Sequence, residues 1–222
     1  LAYKIASFEI NDIPFIEYIA SKGKPIIIST GIARMGDIQN ALDACKRMGN
    51  ENVALLKCTS SYPAPVEEAN LKTIPNMKET FNVIAGLSDH TMGHAVSVGG
   101  VAIGAKIIEK HLTLRRSDGG ADSKFSMEPE EFKEMVDNIR IVEKALGKVT
   151  YDLSQKQTNS REHSRSLFIV QDMKQGEIFT EKNVKSIRPG FGLETKYIKD
   201  ILGKTAKIDI KKGTPMSWNL LD

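Results

Sequence analysis

Two histidines stand at matched places in the chain. Ser88-Asp89-His90 closes one apolar run and Glu109-Lys110-His111 closes the next. In a parallel α/β sheet the ligand site lies at the carboxyl ends of the strands. Imidazoles at equivalent ends of neighbouring strands project into one crevice. Two of them, with open positions for water or substrate oxygens, make a divalent-metal site. A lone histidine is more often a core or surface residue; the matching sets this pair apart. His94, on a helical pattern, and His163, in a polar stretch, read as structural or solvated.

The other runs also end in polar groups. Lys4, Ser7 and Glu9 gather at the first, Ser29-Thr30-Gly31 at the second and Thr59-Ser60-Ser61-Tyr62-Pro63 at the third. Hydroxyls, a lysine and backbone N–H groups at strand ends can cradle an anion, especially where a helix N-terminus follows. Each serine alone reads equally as a helix cap. Repetition over all five runs favours a binding site. After the last run, Arg115-Arg116-Ser117-Asp118-Gly119-Gly120-Ala121-Asp122 reads as a substrate loop or a solvated connection, with Asp122 and Phe125 its more informative members.

These ends need strands to hold them. Apolar runs over 3–7, 25–29, 53–58, 81–88 and 106–112 alternate with helical patterns. Residues 35–48 place Ile38, Ala41, Leu42 and Cys45 at helical spacing, with Gly49 as a stop. Residues 91–104 are small and apolar, suited to close packing of a helix on a sheet. Residues 129–146 open with acids, which complement the helix dipole, and end at Gly147. Strands alternating with helices imply a parallel sheet. Continuous apolar runs imply that both of its faces are buried. A doubly wound sheet and a (β/α)₈ barrel both fit.

Composition narrows the class. The chain has 222 residues, 41% hydrophobic and 27% charged, as in an ordinary globular protein. The charge sum, 31 − 28 = +3, is too mild to imply a nucleic-acid partner. No apolar stretch approaches the ~20 residues of a membrane span. Cys45 and Cys58 are too few for a disulfide framework and fit a reducing cytoplasm.

The texture changes after residue 147. Residues 148–165 are polar and read as a linker between the α/β unit (1–147) and a small β-rich module (166–222). Within the module, Lys174-Gln175-Gly176-Glu177 and Lys212-Gly213-Thr214-Pro215 look like one turn device used twice, with glycine where φ is positive.

Lys4-Ile5-Ala6-Ser7-Phe8-Glu9, Ile28-Ser29-Thr30-Gly31, Lys57-Cys58-Thr59-Ser60-Ser61-Tyr62-Pro63, Gly86-Leu87-Ser88-Asp89-His90-Thr91 and Ile108-Glu109-Lys110-His111 together resemble the sialic acid synthase family. Those enzymes condense phosphoenolpyruvate with an amino-sugar aldehyde to give a nonulosonic acid. The tail, with Ser186-Ile187-Arg188-Pro189-Gly190, resembles the family's antifreeze-like (SAF) domain. Ser7-Phe8-Glu9 and the loop Gly119-Gly120-Ala121-Asp122-Ser123-Lys124-Phe125-Ser126 look most like the pseudaminic acid synthase branch, whose sugar is a 6-deoxy diacetamido hexose.

The resemblance implies a TIM (β/α)₈ barrel followed by the SAF domain. It implies Mn²⁺ or Mg²⁺ on His90 and His111. Lys4, Ser7, Ser29, Ser60 and Ser88 match positions that hold phosphoenolpyruvate, with Ser60 standing where sialic acid synthases commonly carry Asn. Glu9 matches a proton-handling carboxylate. Tyr62 and Asp122 match sugar contacts. Arg188 matches an arginine that the SAF domain inserts into the partner's site in a domain-swapped homodimer. The alternatives are an N-acetylneuraminate or legionaminate synthase, or an inactive fragment serving as a binding module. A family barrel has eight strands in ~250 residues. The five runs here correspond to the fourth to eighth. The expectation is therefore a fragment of a longer protein, without synthase activity by itself and with apolar strand edges left open.

Overall fold

The structure, a computed structural model, describes residues 1–222. Five strands, β1 (Tyr3–Ile5), β2 (Ile26–Ser29), β3 (Val53–Cys58), β4 (Ile84–Asp89) and β5 (Ile108–Lys110), pair in parallel in sequential order. Helices α1 (Ile13–Ala20), α2 (Met35–Arg47), α3 (Thr73–Phe81) and α4 (Ala95–Ala102) connect them, and α5 (Pro129–Leu146) follows β5. The strand order never reverses, as it must in a doubly wound sheet. Residues of α1 to α4 join one core with Ile5, Ile26, Ile28, Leu55, Ala85 and Leu87, so the helices lie on one face. This is a partial (β/α) barrel.

Local chemistry sets the element ends. The Asp12 carboxylate accepts from Phe15 N at 3.2 Å at the start of α1. The Glu131 carboxylate accepts from Glu128 N at 2.8 Å, and Pro129 opens α5. The observed α5 has the bounds read from the sequence. Phe81 ends α3 instead of opening β4, because Asn82 turns left-handed at φ 51° and breaks the run. Nor are both sheet faces buried throughout. Five strands in open order do not close on themselves, and Ile84 stays 56% exposed beside a cleft of about 440 Å³ lined by Ile27, Ala54 and Ile107. No helix is long and apolar enough to cross a membrane.

A second compact unit spans Val149–Asp222. The stretch read as a linker contains a short helix, α6 (Gln155–Ser160), capped by Ser154. Strands β6 (Ser166–Ile169) and β7 (Val184–Ile187) pair antiparallel, and α7 (Ile198–Ile201) follows. Leu167, Ile169, Phe179, Val184, Ile201 and Met216 belong to the core. Gly176 and Gly213 take φ of 85° and 91°, so both turns need glycine.

The two turns brace each other. Asp209 accepts from Gln175 N at 2.9 Å and Lys174 Nζ at 2.7 Å. Asp172 accepts from Lys212 N at 2.7 Å and Lys211 Nζ at 3.0 Å. The Lys212 amide, then Lys211, hold the Asp172 carboxyl below the usual aspartate range; Lys174, then the Gln175 amide, do so for Asp209. A depressed carboxyl stabilises the fold above its unfolded-state pKa, and that stability is lost as pH falls through the folded-state value. Acidification below about pH 4 should therefore lower the melting temperature of this unit. Asp172→Asn with Asp209→Asn should flatten that fall. Trp218, the one tryptophan, makes fluorescence the readout; an unchanged pH slope counts against the brace.

Candidate active site

Side chains alternate across a strand. Ile5, Ile28, Leu55, Leu87 and Ile108 face the helices. Lys4, Ser29, Cys58, Ser88 and Glu109 therefore share the opposite face. The register sets Cys58 beside Ser88 and Ser88 beside Glu109. His90 and His111 continue that face beyond the strand ends.

Here the groups meet. Lys4 Nζ donates to Ser29 Oγ at 2.9 Å and lies 3.5 Å from Glu109 Oε1. Ser88 Oγ donates to the same Glu109 oxygen at 2.7 Å. Ser7 Oγ is buried without a hydrogen-bond partner. A Cβ on Gly31 would fall 2.5 Å from Ser7 Oγ and 2.1 Å from Ser60 Oγ, so only glycine leaves room between these hydroxyls. An unpartnered buried hydroxyl beside a lysine–serine network is the chemistry of an anion cradle.

The rings of His90 and His111 lie 5.2 Å apart between centroids, edge to face. Tyr62 stands 4.4 Å from His90, and Phe125 stands 5.1 Å from His111. His90 Nδ1 is 2.9 Å from the Thr59 carbonyl. A carbonyl only accepts, so Nδ1 carries the proton and Nε2 keeps the free lone pair. His111 Nδ1 lies 3.6 Å from Asp122 Oδ2. Burial pushes the His90 pKa down, but Cys58 and the Thr59 carbonyl outweigh it and hold it above the ordinary value. His111 is pushed down by burial and by its neighbour His90. Burial raises the Cys58 thiol, yet His90 with Ser60 and Ser88 bring it below its usual value.

Adjacent imidazoles, one with its tautomer fixed by a carbonyl, are the donor type that a divalent cation takes. No group of three or more His, Cys, Asp or Glu side chains is arranged to hold a metal.

Lys4, Ser7, Ser29, Ser60, Tyr62, Ser88, His90, His111 and Asp122 thus gather at the carboxyl ends of the strands. Glu9 is placed differently. It is exposed, and its carboxylate accepts from Ala6 N at 2.9 Å within its own turn. Glu109 is the carboxylate that meets Lys4, and Cys58 is the thiol beside His90. Sequence reasoning singled out neither for the site. Counting back by two from His111 and from Ser60 finds both. Arg116 in the loop pairs with Glu131 at the start of α5. Arg188 is exposed in the C-terminal unit.

Fold and site define a barrel-type α/β protein with a lysine–serine–glutamate network beside an imidazole pair. Residues 1–151 match the NeuB family and residues 164–222 the SAF domain; the chain belongs to the NeuB family. A pseudaminic acid synthase of Campylobacter jejuni is 49% identical over 213 residues, 96% of this chain and 62% of that protein. An N,N'-diacetyllegionaminic acid synthase of the same organism is 40% identical over 95% of this chain and 64% of its own length. The crystal structure of the spore coat polysaccharide biosynthesis protein SpsE of Bacillus subtilis matches with a TM-score of 0.63 and 33% identity, over 100% of this chain and 67% of that one. The chain therefore spans less than two thirds of the length of these curated relatives.

An unmet hydroxyl in a buried site penalises the ligand-free fold. Ser7→Ala should leave stability in urea unchanged or raise it by up to about 1 kcal/mol. A loss of more than about 1 kcal/mol would mean that the hydroxyl serves the fold and not a ligand.

Proposed function

We propose that these residues belong to a pseudaminic acid synthase, which condenses phosphoenolpyruvate with a 2,4-diacetamido-2,4,6-trideoxy hexose to give a nonulosonic acid and phosphate. The observation that carries the reading is the juxtaposition of an anion cradle and an imidazole pair on one face of one sheet. The 49% identity to a pseudaminic acid synthase favours this sugar over the legionaminate alternative, whose relative is 40% identical.

Lys4, Ser7, Ser29, Ser60 and Ser88 bind the phosphate and carboxylate of phosphoenolpyruvate. A bound Mn²⁺ or Mg²⁺ on His90 and His111 would polarise the sugar aldehyde oxygen. The methylene carbon of phosphoenolpyruvate bonds to the aldehyde carbon, water adds at C2 and phosphate leaves with its bridging oxygen. A carboxylate takes the proton of that water. Glu9 holds this role by family resemblance; Glu109 is the carboxylate already beside Lys4 and Ser88. Tyr62 and Asp122 contact the sugar. Arg188 completes the site of a second subunit in a domain-swapped homodimer.

The test is phosphate release from phosphoenolpyruvate with each of the three candidate hexoses. It is run on the 222-residue chain and on a version extended by the preceding βα units of a family relative. Release by the extended version with the diacetamido trideoxy hexose of pseudaminate stereochemistry, and not with its legionaminate-type stereoisomer or the N-acetylneuraminate precursor, supports the reading, and release with none of the sugars overturns it. In that active version Arg188→Ala should raise KM for the sugar far more than KM for phosphoenolpyruvate. Equal effects on both, or none, would count against the swapped arrangement.

A further inference from the structure

Behind the two imidazoles, on the helix side of the sheet, lies a charge pair that no step above uses. Asp89 and Lys110 sit opposite each other in the β4–β5 register. Lys110 Nζ lies 2.9 Å from Asp89 Oδ2, and the side chains are 2% and 1% exposed. Asp89 Oδ1 accepts from Thr91 N at 2.9 Å and Thr91 Oγ1 at 2.8 Å. Its Oδ2 also accepts from Ser97 Oγ on α4 at 2.7 Å. Lys110 Nζ donates in addition to the Thr91 carbonyl at 2.6 Å. The carboxylate is saturated, and the ammonium has two of its three donors engaged.

Such a pair is an uneconomical way to stabilise a core. Apolar residues of similar volume usually do as well or better, because two charges must be desolvated. What the pair supplies is direction. β5 has three residues and, like β1, a single neighbouring strand, and just beyond it the His111 carbonyl accepts from Met127 N at 2.9 Å. His90 and His111 each follow one member of the pair by one residue.

We propose that Asp89 and Lys110 are positioning residues that lock the ends of β4 and β5 together and so set the separation of the two imidazoles. The proposal rests on the metal-holding role read for those histidines, but its first readout does not. The test is the crystal structure of the metal-free Asp89→Asn/Lys110→Met protein, alongside Mn²⁺ titration followed by electron paramagnetic resonance. The double change leaves no unpaired buried charge, so the variant should fold. The rings should be displaced from their wild-type arrangement, and Mn²⁺ affinity should fall about tenfold or more, as for outer-sphere ligand supports. Rings that superpose on the wild type would overturn the proposal. If the double variant does not fold, Ser97→Ala removes one donor from Asp89 and keeps the charge pair. It should give a smaller displacement of the same rings, and unmoved rings would again overturn the proposal. Wild-type protein that takes up no Mn²⁺, with displaced rings in the variant, would sink the metal assignment and support the positioning role.

Discussion

The candidate site depends on one constraint: a residue in a parallel strand faces the helices or the opposite side, and its neighbour does the reverse. Isoleucine and leucine commit one face of each strand to the helix layer. That commitment, made by the hydrophobic effect, fixes which polar side chains remain on the other face. Lys4, Ser29, Ser88 and Glu109 are brought together by packing in which they take little part. A one-residue slip of β5 would trade Glu109 for Lys110 and dismantle the network.

Within that frame, the two imidazoles are made unlike. His90 is buried against a carbonyl and a thiol that favour its protonated form, while His111 borders an aspartate yet is pushed down by burial and by His90. Neighbouring titratable groups with diverging pKa values mark sites where acid, base and ligand duties divide. The aromatic rings of Tyr62 and Phe125 flank the pair and lower the local polarity.

The sequence revealed helices with strong end chemistry and strand ends rich in polar groups. The helix Pro129–Leu146 was legible because Pro, acids and a closing Gly agree with its periodicity. The β4 boundary was not, because Phe81 and Val83 continue an apolar run across a left-handed Asn82 that composition does not announce. His90 and His111 were found because they lie at matched ends. Glu109 was hidden in a three-residue strand, where too few residues exist to display an alternation. The same matching of strand ends aligns Asp89 with Lys110, but their burial as a pair on the helix side comes from the packing of α4, which the strand residues do not display.

The reciprocal turns of the C-terminal unit carry a consequence for how it assembles. Each turn is closed by an aspartate from the other, across 34 to 40 positions of chain. Asp172-Met173-Lys174-Gln175-Gly176 and Asp209-Ile210-Lys211-Lys212-Gly213 are therefore two halves of one clasp, and Met173 and Ile210 bridge at its centre. Neither half has its full set of partners while the other is unformed. Loop closure must come first, and the gain from both halves arrives together. The clasp thereby ties the closing of one turn to the closing of the other across most of the module's chain.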